Sequence, residues 1–261
     1  RDFYQQHYSP NNAILAVVGD YDENIFTQIE KVFGTWETRE IQTSKFPVFP
    51  EIKGIQIRLV DKNDLAQSQI RFGHKAIKRS DSDFLKLRLA SIILGGAFSS
   101  RLMKRVRVEK GLTYSINAQF GAQQDFGAFT VSTFTRHEKV GETIKETLGV
   151  LEKFGQEGAT TAELDAAKAL AKGLFARALE TAEAFARNLL TLRNYGIGDD
   201  YLENYHKNIE SISLQELNAA ITKHLHTNDL KILVFAPKIK TIEQLRPLGL
   251  LEVKNFRQLV Y

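Results

Sequence analysis

The chain of 261 residues contains no cysteine, which excludes disulfides, thiol nucleophiles and cysteine-ligated zinc. That absence leaves cytoplasm and periplasm equally open. No apolar run approaches the ~18–20 residues a membrane-spanning helix needs, so no membrane partner is expected. Charge of either sign is in short supply as an excess: 35 Lys and Arg against 31 Asp and Glu leave a net charge of +4. So mild a balance, with no recognition motif beside it, argues against nucleic acid as a partner. No signal peptide is visible, and the first residue is Arg1 rather than Met, which reads as a piece of something longer.

What is present suits a globular protein: 43% of residues are hydrophobic, enough for a substantial core. The periodicity predicts a helix ending near Tyr8, a strand over Ala13–Val18, and an amphipathic helix over Asn24–Phe33 closed by Gly34. Residues 35–54 lack periodicity and carry Pro47 and Pro50, as a linker would. Strands are predicted near Ile55–Asp61 and Gln67–Lys75, then a helix to Leu94 that Gly95-Gly96 terminates. Strands at Thr113–Gln119 and Phe126–Phe134 follow, antiparallel, the second packed on both sides. Helices are expected over Val140–Phe154, over an Ala-rich stretch from Thr161 to Tyr195, and over Ser213–His224. A strand at Leu230–Phe235 and a short helical turn at Ile242–Leu248 precede an apolar tail reaching Val260. The fold class is therefore α+β, with a mixed or antiparallel sheet covered by helices.

The stretch Ser99–Ser115 carries the most chemistry. A basic helix begins at Ser99 or Ser100 and ends at Gly111, a residue that takes positive φ without steric penalty. Arg107 then lies near the helix end and Tyr114 at the start of a strand, so both can face one groove. An always-charged guanidinium with five donors and a hydroxyl on a stiff ring suit a peptide carbonyl, or the oxyanion it becomes in acyl transfer. The same spacing also fits a solvated basic helix beside an ordinary sheet tyrosine. The short basic clusters Lys75–Arg79 and Lys104–Arg107 read as solvated faces, or as attraction for acidic peptide segments.

Gly95-Gly96, Ser100-Arg101-Leu102 and Arg107-x-Glu-Lys-Gly-Leu-x-Tyr114 together resemble the second-lobe signature of the pitrilysin/insulinase-like zinc peptidases. Tyr8-Ser-Pro-Asn-Asn-Ala-Ile-Leu-Ala-Val-Val-Gly-Asp20 and Phe33-Gly34-x-Trp36 resemble the closing part of that family's first lobe. The resemblance implies residues 1–36 as the end of a first lobe, 37–54 as a linker and 55–261 as a zinc-free second lobe. It implies that Arg107 and Tyr114 bind substrate backbone, and that the partners are a peptide or unfolded protein and a zinc-bearing lobe or homologous subunit. It implies no zinc in this chain, but zinc in the complete enzyme. The family's zinc motif, His-x-x-Glu-His, is absent here. His137-Glu138 lacks a second histidine, His224-x-His226 has poor helical spacing for a shared ligand, and no catalytic or metal residue is assigned. The function so implied is the substrate-binding, non-catalytic portion of a zinc metallopeptidase; the alternative is a purely structural or assembly lobe of an inactive member.

One internal similarity accompanies this. His7–Asp20 aligns without a gap on His224–Pro237, each a helix end followed by an apolar run, and each is followed by a short helix and a glycine. The match predicts two structurally similar pieces around 7–34 and 224–249.

Overall fold

The computed structural model describes residues 1–41 and 48–256. It divides into two compact units, one of residues 1–50 and 173–204, the other of residues 51–172 and 205–261. Part of the expected linker and the end of the apolar tail fall on 42–47 and 257–261, outside the described residues.

The second unit is built on a six-stranded sheet. Its strands are β1 (Gln56–Asp61), β2 (Ser68–Ala76), β3 (Ile116–Ala122), β4 (Gly127–Thr135), β5 (Lys231–Ala236) and β6 (Leu250–Asn255), in the order β3-β4-β2-β5-β1-β6. β3, β4, β2 and β5 pair antiparallel in sequence along the sheet, while β1 pairs parallel with both β5 and β6. The sheet is mixed, and the α+β class holds.

Alternation sets which face is covered. Phe129, Val131 and Thr133 on β4 are buried, as are Ile70 and Phe72 on β2 and Ile232 and Val234 on β5. The intervening residues are half-buried or exposed, so β4 is packed on one side rather than two. The helices of this unit, numbered in chain order after α1 (Asp2–His7) and α2 (Asn24–Phe33) of the other unit, are α3 (Phe84–Ser91), α4 (Val140–Glu157), α8 (Leu214–His224) and α9 (Lys238–Leu245), with most of α5 (Thr161–Arg177) and of α7 (Asp200–Ser211). Leu87, Leu89, Ile144, Leu151, Leu217 and Ile221 supply core side chains from these helices. α8 starts at a complete capping box: Ser213 accepts from Glu216 N, and Glu216 accepts from Ser213 N. The Ala-rich stretch is two helices rather than one. Thr181 caps a new start by accepting from Ala184 N, giving α6 (Ala182–Asn194) in the first unit.

The first unit holds α1 (Asp2–His7), α2 (Asn24–Phe33) and α6. Ala13–Val18 is not a strand. Ala13 has extended dihedrals, yet no neighbouring strand pairs with the run among the described residues, and Ile14 and Leu15 stay exposed. An apolar run supplies the propensity for a strand, but only a partner makes one. The two similar pieces therefore agree in part. α1 and α8 end on the aligned His7 and His224, and a helix follows in each, but only the second piece contains a strand.

Candidate functional site

The site is assembled by how two helical segments end. α3 runs into a π turn over Ile92–Gly96, and a second π segment spans Met103–Glu109. Such widened turns are uncommon and concentrate at functional positions. The second ends at a glycine cap whose two closing hydrogen bonds each span one residue more than in a Schellman motif. Gly111 N donates to Arg107 O at 3.1 Å and Leu112 N to Val106 O at 3.0 Å, with Gly111 at φ 58°. Leu112 and Val106 are both buried. Arg107 is thus held through its own carbonyl one turn before the chain reverses.

The next residues are pinned from β4. Thr135 Oγ1 donates to the carbonyl of Leu112 at 2.6 Å, and Thr133 Oγ1 lies 3.0 Å from the carbonyl of Ser115. Ser115 N donates to Thr113 Oγ1 at 3.1 Å. These buried hydroxyls turn Leu112 and Thr113 inward and leave Tyr114, 73% exposed, facing out. The result brings the two expected residues together: the Arg107 guanidinium carbon lies 4.6 Å from the Tyr114 ring centroid. The same carbon lies 5.0 Å from the ring of Phe98, itself 69% exposed.

The neighbouring arginines are committed elsewhere. Arg101 donates from Nε and Nη2 to both carboxylate oxygens of Glu163 at 2.7 Å, and from Nη2 to the carbonyl of Gly158 at 2.8 Å. That guanidinium, above all, pulls the Glu163 carboxyl down to about 2. Arg105 donates to Glu146 at 2.7 Å and Glu109 at 3.0 Å. Arg107 has no carboxylate partner among the described residues. Ring contacts are what hold its side chain among the described residues. The depression of about 730 Å³ that Arg101, Lys104, Arg105 and Glu146 line includes neither Arg107 nor Tyr114.

The edge of the sheet beside this pair is closed. β3 is an edge strand, but Phe120 N donates to Ser91 Oγ at 2.9 Å, and Asn117 Nδ2 to the carbonyl of Gly95 at 3.2 Å. A Cβ on Gly95 would collide with the backbone N of Ala118. β4 lies inside the sheet, so neither it nor the middle of β3 offers an edge for adding a strand.

The histidines form structural contacts. His224 Nε2 lies 2.9 Å from Asp83, whose carboxylate also accepts from Lys86 at 2.7 Å and Lys223 at 3.0 Å. Asp81, Asp83 and His224 are the one grouping of metal-type donors found among the described residues. Two ammonium groups and an imidazole already surround Asp83, with Lys86 first in holding its carboxyl far below the usual range. His74 is buried and accepts at Nε2 from His226 N at 3.2 Å, which assigns its proton to Nδ1, 2.8 Å from the carbonyl of Lys75.

Burial lowers the His74 pKa from 6.5 to about 4, with His226 and His224 adding to the effect and the Lys75 carbonyl opposing it. Because the folded value lies below the unfolded one, its contribution is complete above pH ~6.5 and is lost as pH falls towards ~4. The loss is on the order of 3 kcal/mol. Urea unfolding at several pH values measures it, and His74→Phe is expected to flatten that part of the profile. An unchanged slope in the variant would assign the acid sensitivity elsewhere.

The sequence reading did not single out Phe98; an aromatic residue directly after Gly95-Gly96-Ala97 and before the helix start was its only signal.

The family described as peptidase M16 inactive domain matches residues 1–171. The uncharacterized zinc protease YmxG of Bacillus subtilis is 26% identical over 245 residues, covering 91% of this chain and 57% of that protein. The non-peptidase homolog YmxG of Helicobacter pylori is 30% identical over 184 residues, covering 68% of this chain and 41% of that protein. The crystal structure of the peptidase M16 inactive domain from Pseudomonas fluorescens matches with a TM-score of 0.78 and 26% identity, over 88% of this chain and 54% of the other. The chain spans about half the length of the curated relatives it matches.

Proposed function

The chain belongs to the peptidase M16 family, whose inactive domain it matches, and from that premise we propose that it is the substrate-binding, non-catalytic portion of a zinc metallopeptidase. The observation that carries the reading is Arg107: an arginine without a carboxylate partner among the described residues, set against the exposed ring of Tyr114. A peptide carbonyl accepts from the guanidinium, and the tyrosine hydroxyl supplies a second donor. Both would strengthen as the carbonyl oxygen gains charge. The run at residues 13–18, largely exposed and without a partner strand among the described residues, supports the division proposed with it: 1–36 closing a first lobe, 37–54 a linker, 55–261 the second lobe.

Zinc, when bound in the complete enzyme, polarises the scissile carbonyl and activates water. The donors described here do not fit it. A catalytic zinc site needs three neutral or anionic protein ligands with an open fourth position, whereas Asp83 is enclosed by Lys86, Lys223 and His224. The zinc would come from a partner lobe or homologous subunit. After dialysis, elemental analysis of this chain is expected to find no stoichiometric zinc, and a quenched-peptide assay no chelator-sensitive cleavage. Tightly held zinc with such cleavage would overturn the assignment.

Peptide binding is tested directly by anisotropy of a fluorescein-labelled unfolded casein peptide. Saturable binding weakened by Arg107→Ala and Tyr114→Phe is expected. Absence of binding, or binding indifferent to both substitutions, favours the second reading, a structural or assembly lobe. That reading has its own support in the relative named a non-peptidase homolog.

A further inference from the structure

We propose that Phe98 is a positioning residue of the peptide site, confining the Arg107 guanidinium so that its donors stay presented to a bound carbonyl. The inference rests on the reading of Arg107 as a peptide contact, and it adds a residue that the Arg107–Tyr114 pair does not include.

An arginine side chain is long and loses substantial rotamer freedom when held in one place. Arg101 and Arg105 are fixed by charge-assisted bonds to Glu163, Glu146 and Glu109. A carboxylate would fix Arg107 equally well, but it would occupy the donors that a carbonyl needs. Aromatic rings hold a guanidinium through their electron-rich faces and accept none of its conventional hydrogen bonds. Phe98 and Tyr114 both do this, at 5.0 and 4.6 Å from the guanidinium carbon.

Core packing does not account for Phe98. The residue is 69% exposed and has no aromatic partner among the described residues; Arg107 is the ring contact found for it. Its backbone is placed with care all the same. Ala97, extended at φ −131° and ψ 160°, follows the π turn, and Ser100 N donates to the carbonyl of Ala97 at 3.1 Å as the next helix starts. Phe98 therefore stands on a short bridge between two anchored segments, one sealed against β3 through Gly95, the other tied to Glu163 through Arg101.

The test is a double-mutant cycle in the full-length protein, read by anisotropy of the fluorescein-labelled unfolded casein peptide and by the ring-current shifts of the Arg107 side-chain NMR resonances. Phe98→Ala is expected to weaken binding about three- to tenfold. Phe98→Tyr should restore it, and the melting temperature should stay near that of the wild type. The effect should vanish in an Arg107→Ala background, since a residue acting through Arg107 has nothing left to position. The Arg107 resonances should move towards random-coil values in Phe98→Ala and recover in Phe98→Tyr. If Arg107→Ala weakens binding while Phe98→Ala does nothing, or weakens it equally in both backgrounds, the positioning role is overturned and the peptide site stands. If Arg107→Ala itself leaves binding unchanged, the peptide-site reading fails and the role of Phe98 with it.

Discussion

On the proposed reading, replacing Arg107 by Ala in the chain combined with a zinc-bearing partner lobe is expected to lower kcat/KM by about 10²–10³-fold, the usual consequence of deleting one donor to a developing oxyanion. Stability should change little, within about 0.5 kcal/mol, because the side chain is partly exposed and forms no ion pair among the described residues. Tyr114→Phe should reduce turnover in the same direction. The informative control is Arg101→Ala, six residues earlier on the same segment. It removes the paired bonds to Glu163 and the bond to Gly158, and leaves a partly buried carboxylate uncompensated. Its expected signature is reversed: a lowered melting temperature with turnover retained wherever the protein is folded. Steady-state kinetics beside thermal melts separate the two. If Arg107→Ala matched Arg101→Ala, with lost stability and retained turnover, Arg107 would be a structural residue like its neighbour.

The second large effect concerns Gly95. Gly95→Ala is expected to destabilise the fold by about 3 kcal/mol, a shift on the order of 10 °C in Tm, since its Cβ would be driven into the backbone of Ala118. Backbone on both sides leaves no flexible side chain to yield. Gly111→Ala is the contrast. Its added Cβ meets nothing nearby, and the penalty is only that of holding φ at 58° without glycine, about 1 kcal/mol. Urea unfolding of the two variants ranks them. A larger loss at Gly111 than at Gly95 would mean that the close approach of the π turn to β3 relaxes easily.

The two glycines also mark how far the sequence could be read. Gly111 was legible: a glycine between a basic helical stretch and Thr-x-Tyr has one ordinary use, positive φ at a helix end, and the chain uses it so. Gly95 looked like another terminator, but its reason is nonlocal, the need for a strand some twenty residues later to lie against it. The antiparallel pairing of β3 and β4 followed from alternation around a short turn. β6 did not, because Leu250–Asn255 is largely exposed and its pairing with β1 leaves no hydrophobic pattern. α7 was missed for a similar reason: its polar sequence buries only Tyr205 and Ile209. The run Ala13–Val18 erred in the other direction, since apolar character states a preference and cannot state whether a partner strand is at hand. The meeting of Arg107 with Tyr114 was foreseeable from their spacing across Gly111. The arrival of Phe98 on the same guanidinium depends on the bridge after the π turn, for which a local pattern gives no sign.

That second π segment, Met103–Glu109, makes the placement of Arg107 depend on residue count as much as on residue type. Lys110 N reaches back five residues, to the carbonyl of Arg105 at 3.1 Å, so the segment accommodates one residue more than an ordinary turn. Removing a single residue between the Arg101 anchor and Gly111 would allow the widened turn to close into a regular helix with the two anchors near their present register. A residue inserted there has no such slack to use, and would rotate the anchors by about 100° relative to one another. Arg107 would then have to leave the rings, or Arg101 its carboxylate. Within this helix, then, an insertion that every composition-based measure would score as harmless is the length change the site can least accommodate.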